Sequence, residues 1–191
     1  MISFLLRLAG ATLSALALGL GFIWLSVASA GSAFTIENGP WQTDTRIGSA
    51  ASSWTLRAQI ALGGLFALKQ SETLYYSASR DSAGETLDGS CVYRIEGVDP
   101  DARWWSITSY AHDNFLIPNP RGIYSISKTS VGRNADGGFL ARVSHQPLDG
   151  NWIPADKNGF VLMIRLYQPT EAFRAALATA PLPRITKESC Q

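Results

Sequence analysis

The sequence predicts a mainly β protein. The expected form is an antiparallel β-sandwich or jelly-roll-like domain with one packed helix and a short C-terminal helix, preceded by an N-terminal transmembrane helix. Three observations carry this expectation. The segments TLYYSAS, CVYRIEG, RWWSITSYA, GIYSISK, FLARVSHQ and FVLMIRLYQ, between Thr73 and Gln168, are rich in β-branched and aromatic residues. Turn-forming clusters separate them, among them DSAG at 81–84, VDPD at 98–101, ADGG at 135–138 and DGN at 149–151. A parallel α/β fold would need helices between the strands, and no helical pattern lies there.

The N-terminal helix comes first in the chain. From Leu8 to Ala30 there is no charged residue, and about 20 apolar residues suffice to cross a hydrocarbon core of about 30 Å. Arg7 and the terminal amine precede the run, so the N-terminus should stay cytoplasmic. The resulting expectation is a single-pass protein of the bacterial inner membrane, contacting it through residues 8–30, with its domain in the periplasm. A cleaved signal peptide is the alternative, because Ala28-Ser29-Ala30 fits the small-residue cleavage pattern. A signal h-region usually spans only about 7–15 residues, which favours the retained anchor.

Residues 1–30 are therefore assigned to the anchor (or signal peptide), 31–53 to a Gly-, Ser- and Thr-rich linker, and 54–191 to the exported domain. Gly39-Pro40-Trp41 marks where the linker should first touch the folded body. Ser52 or Ser53 can cap a helix beginning at Trp54. Trp54, Ala58, Ala61, Leu62, Leu65 and Leu68 recur at helical spacing, which predicts an apolar stripe packed on the domain. Gly63-Gly64 inside it costs about 1 kcal/mol per glycine and would be tolerated for close approach to a sheet. Thr170 to Ala180 suits a short helix capped by Thr170, and PLPRITKESCQ follows as an extended tail.

At 191 residues the chain holds one ordinary domain plus the N-terminal segment. A formal net charge of +1 without a basic patch gives no reason to expect nucleic acid. Two cysteines and two histidines are too few for a structural zinc site, and no cofactor motif is present, so neither metal nor cofactor is expected. Cys91 and Cys190 are a candidate disulfide, since exported proteins keep such bonds. Cys91 shares a strand face with Tyr93 and Ile95, toward the core. The alternative is an inert Cys91 and a frayed tail carrying a free thiol.

Several motifs in order resemble a known family. WWSITSY, then NP-R-G-IYSIS, then GNWIPA and GFVLMIRLYQP are similar to the C-terminal half of a bacterial family catalogued as domain of unknown function 1214. YYSASRDSAG and LDGSCVYRI resemble that family's opening hairpin, and the similarity covers about Trp41 to Ile185. The resemblance implies an antiparallel β domain, often the second half of a longer two-domain protein; here an apolar N-terminal segment stands in place of the companion domain. It implies no reaction.

The stretch from Cys91 to Lys128 concentrates the residues a ligand could recognise. Alternation places Trp105 and Ile107 on the core face of their strand, and Trp104, Ser106, Thr108 and Tyr110 on the other. That second face could line an aromatic and hydroxyl groove, or simply pack under a loop. Arg94 and Arg165 sit mid-strand, where a charge is costly unless paired. Glu96, Asp113 and Asp81 are the candidate acids, and anion binding is the alternative. Asn114, Arg121 and Tyr124, on the loop and strand that follow, complete the ligand-binding candidates together with Trp152, which is either a plug between sheets or an exposed contact. His112 and Asp113 could supply a general base, with Ser106 or Ser109 as nucleophile, but no G-x-S-x-G elbow exists. The leading expectation is a non-enzymatic module binding a small envelope ligand or an envelope protein. A hydrolase using His112 and Asp113 is the alternative.

Overall fold

Trp41, Trp105, Tyr76, Tyr93 and Phe160, drawn from both halves of a sandwich, are wholly or almost wholly buried against one another's sheets. The computed structural model describes residues 2–28, 35–50, 52–62 and 67–190. In chain order these form helix α1 (Ile2–Ala28), strands β1 (Thr35–Asn38) and β2 (Trp41–Asp44), and helix α2 (Trp54–Leu62). Strands β3 (Thr73–Ala78), β4 (Cys91–Gly97), β5 (Ala102–Ala111), β6 (Ser125–Ser127), β7 (Phe139–Ser144), β8 (Trp152–Pro154) and β9 (Phe160–Pro169) follow. Helix α3 (Glu171–Ala175) and strand β10 (Arg184–Cys190) end the chain.

The strands build a six-stranded sheet of order β1-β2-β3-β9-β5-β6 and a four-stranded sheet of order β10-β4-β7-β8. Alternation explains why they face each other. Tyr93 and Ile95 on β4, Ala141 and Val143 on β7, Trp105 and Ile107 on β5, and Leu162 and Ile164 on β9 all point inward. Burying each large apolar side chain contributes about 1.5–3 kcal/mol. Two aromatic pairs join the layers directly: Trp105 stacks on Phe139 with centroids 4.9 Å apart, and Tyr93 meets Phe160 edge-on at 5.9 Å. Such pairs are worth about 0.5–1.5 kcal/mol beyond burial.

The mainly β sandwich is therefore as the sequence predicts, with four departures. The supposed linker is in part structure: residues 35–44 form the edge hairpin β1–β2, and the Trp41 indole donates to the Pro183 carbonyl at 2.7 Å. Strands of four residues with only Trp41 and Thr43 turned fully inward leave little pattern to read. The expected tail is β10, laddered onto β4 and anchored by the fully buried Ile185. Strand β8, three residues long, pairs with β7 in parallel, not antiparallel.

The fourth departure is α2. Ser53 caps it, its Oγ accepting from the Leu56 amide at 3.2 Å, while Ser52 donates to the Arg46 carbonyl. Leu56 is its buried residue, whereas Trp54 and Leu62 of the expected core stripe are exposed, and Leu68 lies beyond the helix. Gly63, Gly64 and Leu65 fall outside the described residues, as do Ser29 and Ala30 of the alternative cleavage site. At the other end, Thr170 caps α3, accepting from the Phe173 amide at 3.2 Å, but this helix stops at Ala175.

Helix α1 contains a 25-residue segment, Phe4–Ala28, long and apolar enough to cross a membrane. Cys91 and Cys190 lie directly opposite each other in the β4–β10 ladder and are joined by a disulfide.

Candidate functional site

Three of the residues singled out from sequence converge on one surface, the outer face of the six-stranded sheet. Strand β9 turns Met163, Arg165 and Tyr167 outward, because Leu162, Ile164 and Leu166 between them fill the core. Strand β5 turns Trp104, Ser106, Thr108 and Tyr110 to the same side. The register sets Arg165 between Tyr75 on β3 and Ser106 on β5, and sets Trp104 beside Tyr167.

The Arg165 side chain leans diagonally across β5. Its Nη2 donates to the Tyr110 hydroxyl at 2.6 Å, its Nη1 donates to Thr108 Oγ1 at 3.3 Å, and the guanidinium lies 5.4 Å from the Tyr110 ring centroid. Both partners are neutral. Arg165 makes no ion pair with any described residue, so the expectation of an acidic partner is corrected. Of the acids considered, Asp81 accepts from the amides of its own turn, Ala83 and Glu85, and Asp113 accepts from the Phe115 amide. Glu96 belongs to Arg94. A half-buried guanidinium with two hydroxyl partners keeps N–H groups of its planar fork for a further acceptor. Beside it, Trp104 and Tyr167 meet edge-on at 5.3 Å, and the indole N–H donates to Thr129 Oγ1 at 3.3 Å. The face thus presents the half-buried Arg165 cation, the Tyr110 hydroxyl beside it and a half-buried aromatic wall, with Ser106 and Thr108 buried beneath, a combination that recognises an anionic group attached to a flat or apolar body.

The remaining candidates lie elsewhere. Arg94 is on the outer face of the other sheet, with Nε 3.2 Å from Glu96 Oε2 in an ion pair that lacks hydrogen-bond geometry. Trp152 is buried, its N–H donating to Ser144 Oγ at 2.9 Å, and Arg121 covers its ring at 5.8 Å while donating to the Leu148 carbonyl. Asn114 occupies an exposed turn with φ 66°, and Tyr124 is partly exposed. His112 and Asp113 are exposed, and His112 hydrogen-bonds neither Asp113 nor a serine. Its ring lies over Gly159, so close that a Cβ there would sit 2.5 Å from Nε2. Ser109 is buried with its hydroxyl unpartnered, facing the core, and Ser106 faces the opposite side. No nucleophile–base pair is assembled among the described residues. A separate cavity of about 420 Å³ near the disulfide is lined by Ser90, Cys91, His145 and Lys157 among others, and no group of three metal-ligating side chains occurs among the described residues.

Sequence reasoning missed Tyr167 and Tyr75. Period-two counting from Arg165 places Tyr167 on the same face, but Tyr75 becomes a neighbour only through the β3–β9 register, which no local pattern announces.

Fold and site together define a two-sheet β domain with an outward aromatic and arginine surface. The chain belongs to the family described as "Protein of unknown function (DUF1214)", whose model matches residues 72–171. Among solved structures it is similar to the VPA0106 protein from Vibrio parahaemolyticus, at 23% identity and TM-score 0.58, over 73% of this chain and 36% of that one. It is also similar to an uncharacterized protein from Burkholderia cenocepacia, at 18% identity and TM-score 0.45, over 63% of this chain and 30% of that one. The chain therefore spans about a third of the length of these two structures. No curated protein matches it.

Proposed function

We propose that this protein is a membrane-anchored binding module that captures a small anionic ligand on the outer face of its six-stranded sheet. The carrying observation is Arg165: a half-buried cation held by two hydroxyls, with no carboxylate to neutralise it among the described residues. The aromatic pair Trp104–Tyr167 beside it supplies area for the ligand's body. Arg165 binds the carboxylate or phosphate, Tyr110 and Thr108 orient the guanidinium, and Trp104 and Tyr167 select an apolar or planar group. The hydrolase alternative draws no support from His112, which stands apart from both serines considered for it.

In this reading α1 holds the domain at the outer side of the inner membrane. Arg7 before the apolar run favours a cytoplasmic N-terminus, and the Cys91–Cys190 bond suits an oxidising compartment. A reporter enzyme that works only outside the cytoplasm, fused after Gln191, should be active; activity from a cytoplasm-only reporter would overturn the orientation.

Native mass spectrometry of the full chain, extracted from the envelope in mild detergent, tests the binding role. A small anionic molecule should accompany the wild-type chain and be depleted on Arg165→Met. Equal occupancy in both proteins would place the ligand elsewhere.

A further inference from the structure

Helix α2 carries an apolar stripe on the side opposite its buried residue, Leu56. At about 100° per residue, Trp54, Ala58, Ala61 and Leu62 fall on one side, and Leu56, about 200° from Trp54, falls on the other. Leu56 is the side turned inward, at 4% exposure, while Trp54 is 61% and Leu62 82% exposed. A stripe of this kind on a soluble domain would be expected to be the buried side, and here it is the side opposite the buried Leu56.

Its position supplies the reason. Helix α2 packs against the end of α1, where Gln59 Nε2 donates to the carbonyl of Val27, in the last turn of the apolar helix. Trp24 and Leu25 are exposed on that same end of α1. Two helices therefore meet at the point where a spanning segment would leave the bilayer, and both show apolar and tryptophan side chains to the outside. Tryptophan concentrates at the boundary between headgroups and acyl chains. Arg57 flanks the stripe, its Nη2 reaching the Ala50 carbonyl at 2.7 Å, and a basic residue beside an apolar helical face suits a headgroup layer.

We infer that α2 is an interfacial helix, lying on the same membrane that α1 spans and burying Trp54, Ala58, Ala61 and Leu62 at the headgroup–acyl boundary. The occupant of the exposed stripe is lipid. The inference rests on the anchor reading of α1 and goes beyond it: the domain is seated against the bilayer at two places, which limits its rotation about the anchor.

Nitroxide accessibility of the full chain in phosphatidylcholine–phosphatidylglycerol vesicles tests this. Single cysteines are introduced as Leu62→Cys, Trp54→Cys, Leu18→Cys and Lys157→Cys, each at an exposed position, while the native pair is bonded. The Leu18 label should lie deep, and the Lys157 label should be aqueous. The Leu62 and Trp54 labels should both show a several-fold higher ratio of oxygen to nickel-chelate collisions than the Lys157 label, at a depth shallower than the Leu18 label. A deep Leu18 label with aqueous Leu62 and Trp54 labels overturns the interfacial helix and leaves the anchor standing. An aqueous Leu18 label overturns the anchor and this inference with it.

Discussion

The outer faces of the two sheets handle arginine in opposite ways. On the four-stranded sheet, Arg94 and Arg142 are direct cross-strand neighbours, a repulsive arrangement by itself. Each is answered by an acid: Glu96 at 3.2 Å and Glu188 at 3.0 Å. On the six-stranded sheet, Arg165 sits between Tyr75 and Ser106 and is answered, among the described residues, by two hydroxyls and the Tyr110 ring. The first face is a neutralised, solvated surface. The second carries a cation with no acidic partner among the described residues, whose desolvation is offset by two hydrogen bonds and a contact with the Tyr110 ring. That asymmetry is why the proposed ligand site lies on one sheet and not the other.

Four perturbations sharpen the contrast. The largest concerns the covalent tie at the paired sheet's edge. With Cys91 and Cys190 separated by 99 residues, replacing both by serine should cost up to about 4–5 kcal/mol on the chain-entropy model. Urea unfolding measures it. An unchanged midpoint would mean that the β4–β10 ladder and Ile185 hold the edge unaided.

Next comes Tyr76, on β3 with its side chain in the core and its hydroxyl donating to the Leu177 carbonyl at 3.0 Å. Burial pushes its pKa up from 10.0 to about 12. The folded state therefore favours the neutral phenol, and the associated stability is complete below pH 10 and is lost as pH rises from about 10 through about 12. At about 1.36 kcal/mol per pH unit the loss is on the order of 2–3 kcal/mol. Tyr76→Phe should remove this alkaline decline; a decline of equal size in the variant would assign it to other groups.

A smaller effect separates the arginines themselves. Arg142 and Glu188 are partly exposed, so a double-mutant cycle should return a coupling of about 0.2–1 kcal/mol that shrinks with salt. Arg165 should show no coupling with Asp113 or Asp81, and Arg165→Met should cost on the order of 1–3 kcal/mol, since it removes two hydrogen bonds from a charged donor that is only half-buried. A coupling to either acid of about 1 kcal/mol or more would reveal an acidic partner after all. Smallest of all, Arg94→Met should shift the melting temperature by a degree or two, because Arg94 and Glu96 are both more than a third exposed.

The same contrast shows what could be read from sequence. Long strands with a two-residue period, such as β5 and β9, announce themselves and sort their own faces, so Trp104 and Tyr110 were legible as off-core residues, whereas Arg165 reads as a mid-strand charge in need of an acid. Their convergence was not legible, since it depends on the β5–β9 register. The short strands β1, β2 and β8 contain too few residues for a period, and β10 draws its stability from its partner strand and one isoleucine. The stripe of α2 was legible as apolar, but periodicity reports that a face is apolar without saying what covers it. The acids expected near Arg165 failed for a related reason: proximity in sequence or sign of charge does not fix which turn consumes a carboxylate.

Calorimetric titration with phenylacetate, and with its neutral isostere phenylacetamide, is the most direct test of the arginine site. The full chain in detergent should bind phenylacetate in preference to the amide, and Arg165→Met should weaken that binding at least about tenfold, a change of about 1.4 kcal/mol, while Arg94→Met leaves it unchanged. Equal binding by the Arg165 and Arg94 variants would contradict the account.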